Sequence, residues 1–218
     1  MSFVRFTLRT MDVDGARAFY AAVLGDVDGL HFTALPEAAR LRGAPAHWLG
    51  ALHVGDVDAA IAQMLALGGE RLGPPTSRVM RDPSGAVVEL TSEEASASSR
   101  VAWHLLHTRD RQAAWALYAP LAALREEAAV MHEGLLHQGF SSMTGSTRGS
   151  IVETANLPGV HAHWLFFFRV EDLDAALEKV RAHGGNVMLA SFHTRANGER
   201  VVSCEDAEGA AFGLLSRS

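Results

Sequence analysis

Eleven histidines stand among the 218 residues, and a few of them are spaced so that they could do chemistry. His161 and His163 lie two apart in a segment that reads as a strand, so both side chains point to one face. Leu165, Phe167 and Arg169 share that face, and His47, Leu49 and His53 form the matching face earlier in the chain. His107 falls on the same face of its own strand as Trp103. Imidazoles converging from His107, His161 and His163 would suit Zn²⁺, Ni²⁺ or Fe²⁺. The His-x-His spacing is a weak pattern by itself, and the repeated His47/His163 fits equally a ring that caps a strand or bonds a carbonyl. The single cysteine, Cys204, cannot form an internal disulfide. No base or helix start adjoins it in the sequence to favour a thiolate, so it reads as an ordinary half-buried thiol.

The elements that position these residues occur twice. Residues 46 to 69, AHWLGALHVGDVDAAIAQMLALGG, match residues 162 to 185, AHWLFFFRVEDLDAALEKVRAHGG, at half of their 24 positions. More weakly, Thr10-x-Asp12 with Ala16, Ala18 and Tyr20 aligns with Thr108-x-Asp110 with Ala114, Ala116 and Tyr118. Asp82-Pro-Ser-Gly85 aligns with Asp206-Ala-Glu-Gly209. The second copy carries insertions, the largest between Tyr118 and His163. The small, polar segment Ser92–Ser99 separates the copies as a linker would. The chain therefore reads as a tandem duplication, with domains over residues 1–95 and 96–218.

Each half contains strands and amphipathic helices. Phe3 to Thr10 is a strand, with Phe6 and Leu8 on one side and Arg5, Thr7 and Arg9 on the other. Asp12 or Asp14 caps a helix whose apolar face is Ala16, Phe19, Tyr20 and Val23. Leu30–Leu35 and Ala38–Arg42 fit short strands. His47 to Val54 is a strand, and Asp56 caps a helix that buries Val57, Ala60, Ile61, Met64 and Leu65. Gly68-Gly69 ends it where a left-handed turn favours glycine, and Asp82-Pro-Ser-Gly85 turns a hairpin. The second half follows with helices at Arg111–Leu121 and Leu173–His183. Trp48 and Trp164 face these helices and anchor the core. The pattern predicts an α+β fold with helices on one face of mixed sheets.

Composition excludes several classes. Apolar residues make up 48% and charged residues 20%, as in ordinary globular domains. Nineteen basic against twenty-five acidic side chains give a net charge of -6, without a basic block, which argues against nucleic-acid binding. No apolar run approaches the roughly 18 residues of a membrane span. Arg5 and Arg9 interrupt any secretory core at the N-terminus, so a reduced, cytoplasmic protein is expected.

The combination Leu8-x-Thr10-x-Asp12, Phe19-Tyr20-x-x-Val23-Leu24-Gly25, Val54-x-Asp56-Val-Asp58-Ala-Ala with Gly68-Gly69, and Asp82-Pro-Ser-Gly85-x-Val-Val-Glu89-Leu90 resembles the vicinal oxygen chelate superfamily. Its members include glyoxalase, bleomycin-resistance and extradiol dioxygenase relatives, and the likeness is to a two-domain, tandem branch. It implies paired βαβββ modules that curl around a small-molecule cavity. It also implies a divalent metal held by His, Glu or Gln on the first and last strands of each module. In the first half those positions fall on Arg5, Leu49 and Glu89, with the fourth near Arg40. In the second they fall on Trp103, Leu165 and Gly213, with Glu153 a doubtful fourth. Arg and Leu cannot ligate a divalent cation, and one carboxylate does not hold it alone. Both sites therefore read as having lost the metal, with an Arg5–Glu89 pair replacing it in the first half and Trp103 with Phe167 giving an aromatic lining in the second. The expected ligand-binding residues are Arg5, Glu89, Trp103, His107, His163 and Phe167, for a small, partly hydrophobic organic molecule and no cofactor. The alternative is a metal-dependent lyase or dioxygenase of the glyoxalase type, using displaced histidines or Glu89 as a base. A monomer with its halves paired as an internal pseudo-dimer, or a homodimer, fits either reading.

Overall fold

The computed structural model describes residues 3–94, 100–132, 134–143, 148–195 and 197–217. Strand β1 (Phe3–Thr10) buries Phe6 and Leu8 and turns into helix α1 (Val13–Leu24). Asp12 sets that turn, because its carboxylate accepts the N–H of Gly15 at 2.9 Å. The same device starts α3 (Val57–Ala66), α4 (Arg111–Leu121) and α5 (Leu173–Ala182). There Asp56, Asp110 and Asp172 accept from Ala59, Ala113 and Ala175 at 3.0, 2.9 and 3.0 Å. Each cap satisfies an N–H that the helix cannot, and is worth about 1 kcal/mol.

Two expectations are corrected. Residues 37 to 40 form the short helix α2 (Glu37–Arg40), not a strand. Ala38, Ala39 and Arg40 are strong helix formers, and Pro36 immediately precedes them where no N–H is needed. Leu65 is 44% exposed although its neighbour Met64 is fully buried, because the helix stripe passes through Ala60, Ile61 and Met64.

The remaining strands are β2 (Leu30–Ala34), β3 (His47–His53), β4 (Glu70–Arg71), β5 (Val79–Arg81) and β6 (Val87–Thr91) in the first half, and β7 (Val101–Thr108), β8 (Leu124–Glu126), β9 (Val130–His132), β10 (Leu135–Ser142), β11 (Arg148–Glu153), β12 (His163–Arg169), β13 (Asn186–Thr194), β14 (Arg200–Glu205) and β15 (Ala211–Ser216) in the second. They form a six-stranded sheet in the order β2-β1-β3-β6-β5-β4 and a nine-stranded sheet in the order β13-β14-β15-β12-β7-β11-β10-β8, with β9 paired to β10. Both are mixed. β1 with β2, β3 with β6, β7 with β11 and β12 with β15 run parallel, and the hairpins run antiparallel. The insertion after Tyr118 is occupied by β8 to β11. Of the linker, residues 95–99 lie outside the described residues.

Each sheet follows one half of the sequence, but the compact units of the chain do not. One unit comprises Met1–Arg5, Leu49–Ser98 and Trp103–Trp164, and the other Phe6–Trp48, Ser99–Ala102 and Leu165–Ser218. In each, a buried tyrosine from one half bonds an aspartate from the other. In the second unit, Tyr20 of α1 donates to Asp206 Oδ2 at 3.2 Å, and Trp48 Nε1 donates to Tyr20 Oη at 2.8 Å. Asp206 Oδ1 meanwhile accepts the N–H groups of Glu208 and Ala210 at 2.9 Å. In the first unit, Tyr118 of α4 donates to Asp82 Oδ2 at 3.0 Å. Asp82 Oδ1 gathers the N–H groups of Ser84, Gly85 and Ala86 at 2.9, 2.8 and 2.9 Å. Trp164 packs edge-on to Tyr118, with ring centroids 5.1 Å apart. Burial raises the pKa of both tyrosines and of both aspartates. These pins hold the last hairpin of each half against the first helix of the other.

Candidate functional site

The first-half site starts from strand alternation. Phe6 and Leu8 enter the core, so Arg5 emerges on the opposite face of β1. In β6, Val88 and Leu90 are fully buried and Glu89 is not. Arg5 Nη2 lies 2.7 Å from Glu89 Oε1, and Arg5 Nη1 lies 2.6 Å from Glu93 Oε2. His53 Nδ1 donates to the Glu93 carbonyl at 2.5 Å, which fixes the backbone behind that second carboxylate. The Arg5 and Glu89 side chains are 27% and 23% exposed. The charges are thus partly desolvated yet still reached by water, and the geometry orients them more than it stabilises the fold.

In the second half the corresponding face is ring-lined. Trp103 and His107 alternate with the buried residues of β7. His107 stacks on His163, with centroids 4.6 Å apart and planes 16° from parallel. His107 Nδ1 lies 2.6 Å from Thr154 Oγ1, and His163 Nδ1 donates to the His161 carbonyl at 2.8 Å. Burial, followed by the charge that a protonated His163 or His137 would place beside it, pushes His107 down to about 3. Burial lowers His163 as well, so both rings are neutral near pH 7. His104, on the other face of β7, is pushed down to about 4 by burial and stacks on Phe3 at 5.0 Å.

The last-strand position differs most between the halves. In the first half, Ala51 of β3 is in register with Glu89. In the second, Phe167 of β12 is in register with Gly213 of β15. A Cβ on Gly213 would run into the Phe167 ring, so the glycine is the space the ring requires. Phe167 is only 4% exposed. The Arg195 guanidinium lies 5.9 Å from its centroid, and Glu199 accepts from Arg169 at 3.0 Å and from Arg195 at 3.5 Å. Nothing in the spacing of Arg195 or Glu199 points to this cover, since both lie on the turn joining β13 to β14.

Five of the six expected residues therefore lie in one unit: Arg5 with Glu89, Trp103, and His107 with His163. Phe167 belongs to the other. The residues at the metal positions do not fit a metal. Leu49 and Leu165 are buried hydrocarbon at 1% and 2% exposure, and Glu89 is already held by a guanidinium. The three-imidazole site is not formed either: no group of three or more His, Cys, Asp or Glu residues among the described residues could hold an ion. His163, like its counterpart His47, bonds the carbonyl two residues back at 2.8 Å. Cys204 is fully buried, and burial pushes its thiol up to about 12, so it is no nucleophile.

The paired mixed sheets with helices define a chelate-type α+β scaffold, and comparison agrees. Residues 79–214 match the family described as Glyoxalase/Bleomycin resistance protein/Dioxygenase superfamily. The chain belongs to this superfamily. It is 26% identical over 187 residues to "Putative glyoxylase CFP32" of Mycobacterium bovis and of Mycobacterium tuberculosis, covering 79% of this chain and 70% of the relative. Among solved structures, a mutant of 4-hydroxymandelate synthase from Streptomyces coelicolor superposes with a TM-score of 0.62 at 11% identity, over 100% of this chain and 92% of that one. A xylose isomerase-like TIM barrel/4-hydroxyphenylpyruvate dioxygenase fusion protein gives 0.58 at 14% identity over the whole of this chain, which spans 48% of its length. At these identities the two structures show the fold alone. No helix among the described residues is long and apolar enough to cross a membrane.

Proposed function

We propose that the protein binds a small, partly hydrophobic organic molecule without a metal ion, as a glyoxalase/bleomycin-resistance-like protein whose metal sites have degenerated. The observation that carries the proposal is the Arg5 guanidinium, 2.7 Å from Glu89 and 2.6 Å from Glu93. A fixed cation stands beside the one carboxylate left from the expected ligand set, and an added divalent ion would have to displace it. Arg5, Glu89, Trp103, His107 and His163 are the binding residues of one unit; Phe167, expected with them, lies in the other, buried in register with Gly213. The functional domains are taken as residues 1–95 and 96–218. One sheet drawn wholly from each half supports that division.

Elemental analysis of the purified chain, before and after incubation with Zn²⁺, Ni²⁺ and Fe²⁺, tests the reading. Substoichiometric metal in every sample is expected, and a stoichiometric transition metal overturns it. Native mass spectrometry of the same sample identifies any small molecule that co-purifies.

A further inference from the structure

We infer that His163 Nε2 is a hydrogen-bond acceptor for the ligand, and that the ligand it selects carries a neutral hydroxyl on an unsaturated or aromatic body, as a phenol or an enol does. This rests on the metal-free reading above and deepens it.

The argument is one of tautomers. A carbonyl oxygen can only accept, so the 2.8 Å contact between His163 Nδ1 and the His161 carbonyl requires the proton on Nδ1. In a neutral ring, Nε2 then keeps its lone pair. That contact and the stack on His107 are the partners of the ring among the described residues, and neither uses Nε2. Turning the ring over would put a carbon in place of Nδ1 and lose the bond to the carbonyl. His107 is held in place by Thr154 at 2.6 Å and covers one face of His163 at 4.6 Å. The acceptor is therefore fixed in direction, and His163 remains partly accessible.

Protonation would not supply the hydrogen bond in place of a ligand. An imidazolium at His163 would lie against the His107 ring and near His161, and burial disfavours it. A fixed, neutral acceptor rewards a donor and gives a carboxylate nothing to bind. The surroundings of the acceptor are also aromatic: the His107 ring is stacked on His163, and Trp103 lies on the same strand face as His107.

The test uses ¹⁵N-histidine NMR of the full-length chain, with phenol, anisole and benzoate as probes. In the free protein His163 should show a protonated Nδ1 and an unprotonated Nε2. Phenol should move the Nε2 resonance, and anisole, which has the same ring without the donor, should leave it in place. Phenol should bind roughly three- to tenfold more tightly than anisole, the worth of one neutral hydrogen bond. His163→Phe should abolish that preference. Should the variant fail to fold, the tautomer and the Nε2 shift decide on the native chain. The inference falls if His163 is protonated on Nε2, if anisole binds as well as phenol, if benzoate binds best, or if none of the three binds. In each of those cases the metal content still decides the parent reading separately.

Discussion

In the first half, a small residue, Ala51, stands in register with a large charged one, Glu89; in the second, a large ring, Phe167, stands in register with no side chain at all, Gly213. The two pairs fill matched places with opposite distributions of volume. The frame around them is duplicated with little change. Four aspartate caps start four helices, and two tyrosine–aspartate pins join the halves. The difference teaches which positions the fold holds to and which it leaves open. A buried Asp gathering backbone N–H groups cannot be exchanged without stranding donors, whereas a cross-strand pair tolerates any two side chains that together fill the space. Charge settled on the face of one half and rings on that of the other.

The largest expected effect comes from breaking the second pair. Phe167→Ala should cost about 3–5 kcal/mol by emptying a buried ring's volume. Gly213→Ala should cost about 1–3 kcal/mol by forcing a methyl into the ring. The double variant should cost less than the sum, because the methyl then enters vacated space. Denaturant unfolding of the three variants checks this, and additive costs would mean that the glycine and the ring are unrelated.

Next come the pins. Asp82→Ala strands three N–H groups and the Tyr118 hydroxyl, for about 2–4 kcal/mol. Asp206→Ala strands two N–H groups and a longer tyrosine bond. It should cost about 1 kcal/mol less. Equal costs in thermal melts would sink the ranking by donor count.

The halves should also part company in acid. His104 and His107 have folded values pushed down to about 4 and about 3, below the roughly 6.5 of an unfolded histidine. The unfolded chain then binds more protons, so stability is complete above about pH 6.5 and falls as the pH drops toward 4. The limiting slope is about 1.4 kcal/mol per pH unit for each group. Asp82 and Asp206, whose carboxyls are raised by burial, act in the opposite sense within the lower part of that window, because they take up their protons above the roughly 3.9 of an unfolded aspartate. The first-half counterpart of His104 is Phe6. His104→Phe should therefore flatten the acid limb, and an unchanged pH–stability curve would remove His104 from the account.

The smallest effect belongs to Arg5→Met. With both partners water-exposed in part, loss of the ion pairs should cost about 0.5–1 kcal/mol, and less in high salt. A cost that does not respond to salt would mean that the guanidinium contributes mainly packing.

Much of the frame was legible in the residues. Asp12, Asp56 and Gly68 announce helix ends by local chemistry, and the alternation in β1 assigns faces by period alone. The spacing of Ala16, Phe19, Tyr20 and Val23 marked the stripe that α1 buries. The Tyr20/Tyr118 and Asp82/Asp206 matches were visible as repeats, but their meaning was not, since a hydrogen bond spanning 186 residues leaves no local trace. Arg195 and Glu199 were missed for a related reason. A turn residue has no periodic neighbour to say which ring it will cover.

Residue order by itself marked the aspartate-capped helices, the two faces of β1 and the internal repeat, because each follows from side-chain chemistry and short-range spacing. Only the tertiary structure decided that each compact unit draws on both halves, that Tyr20 meets Asp206 and Tyr118 meets Asp82, and that His163 keeps its lone pair on Nε2. Those depend on which distant groups arrive within 3 Å or so of one another, and burial makes such meetings obligatory once the two sheets have formed.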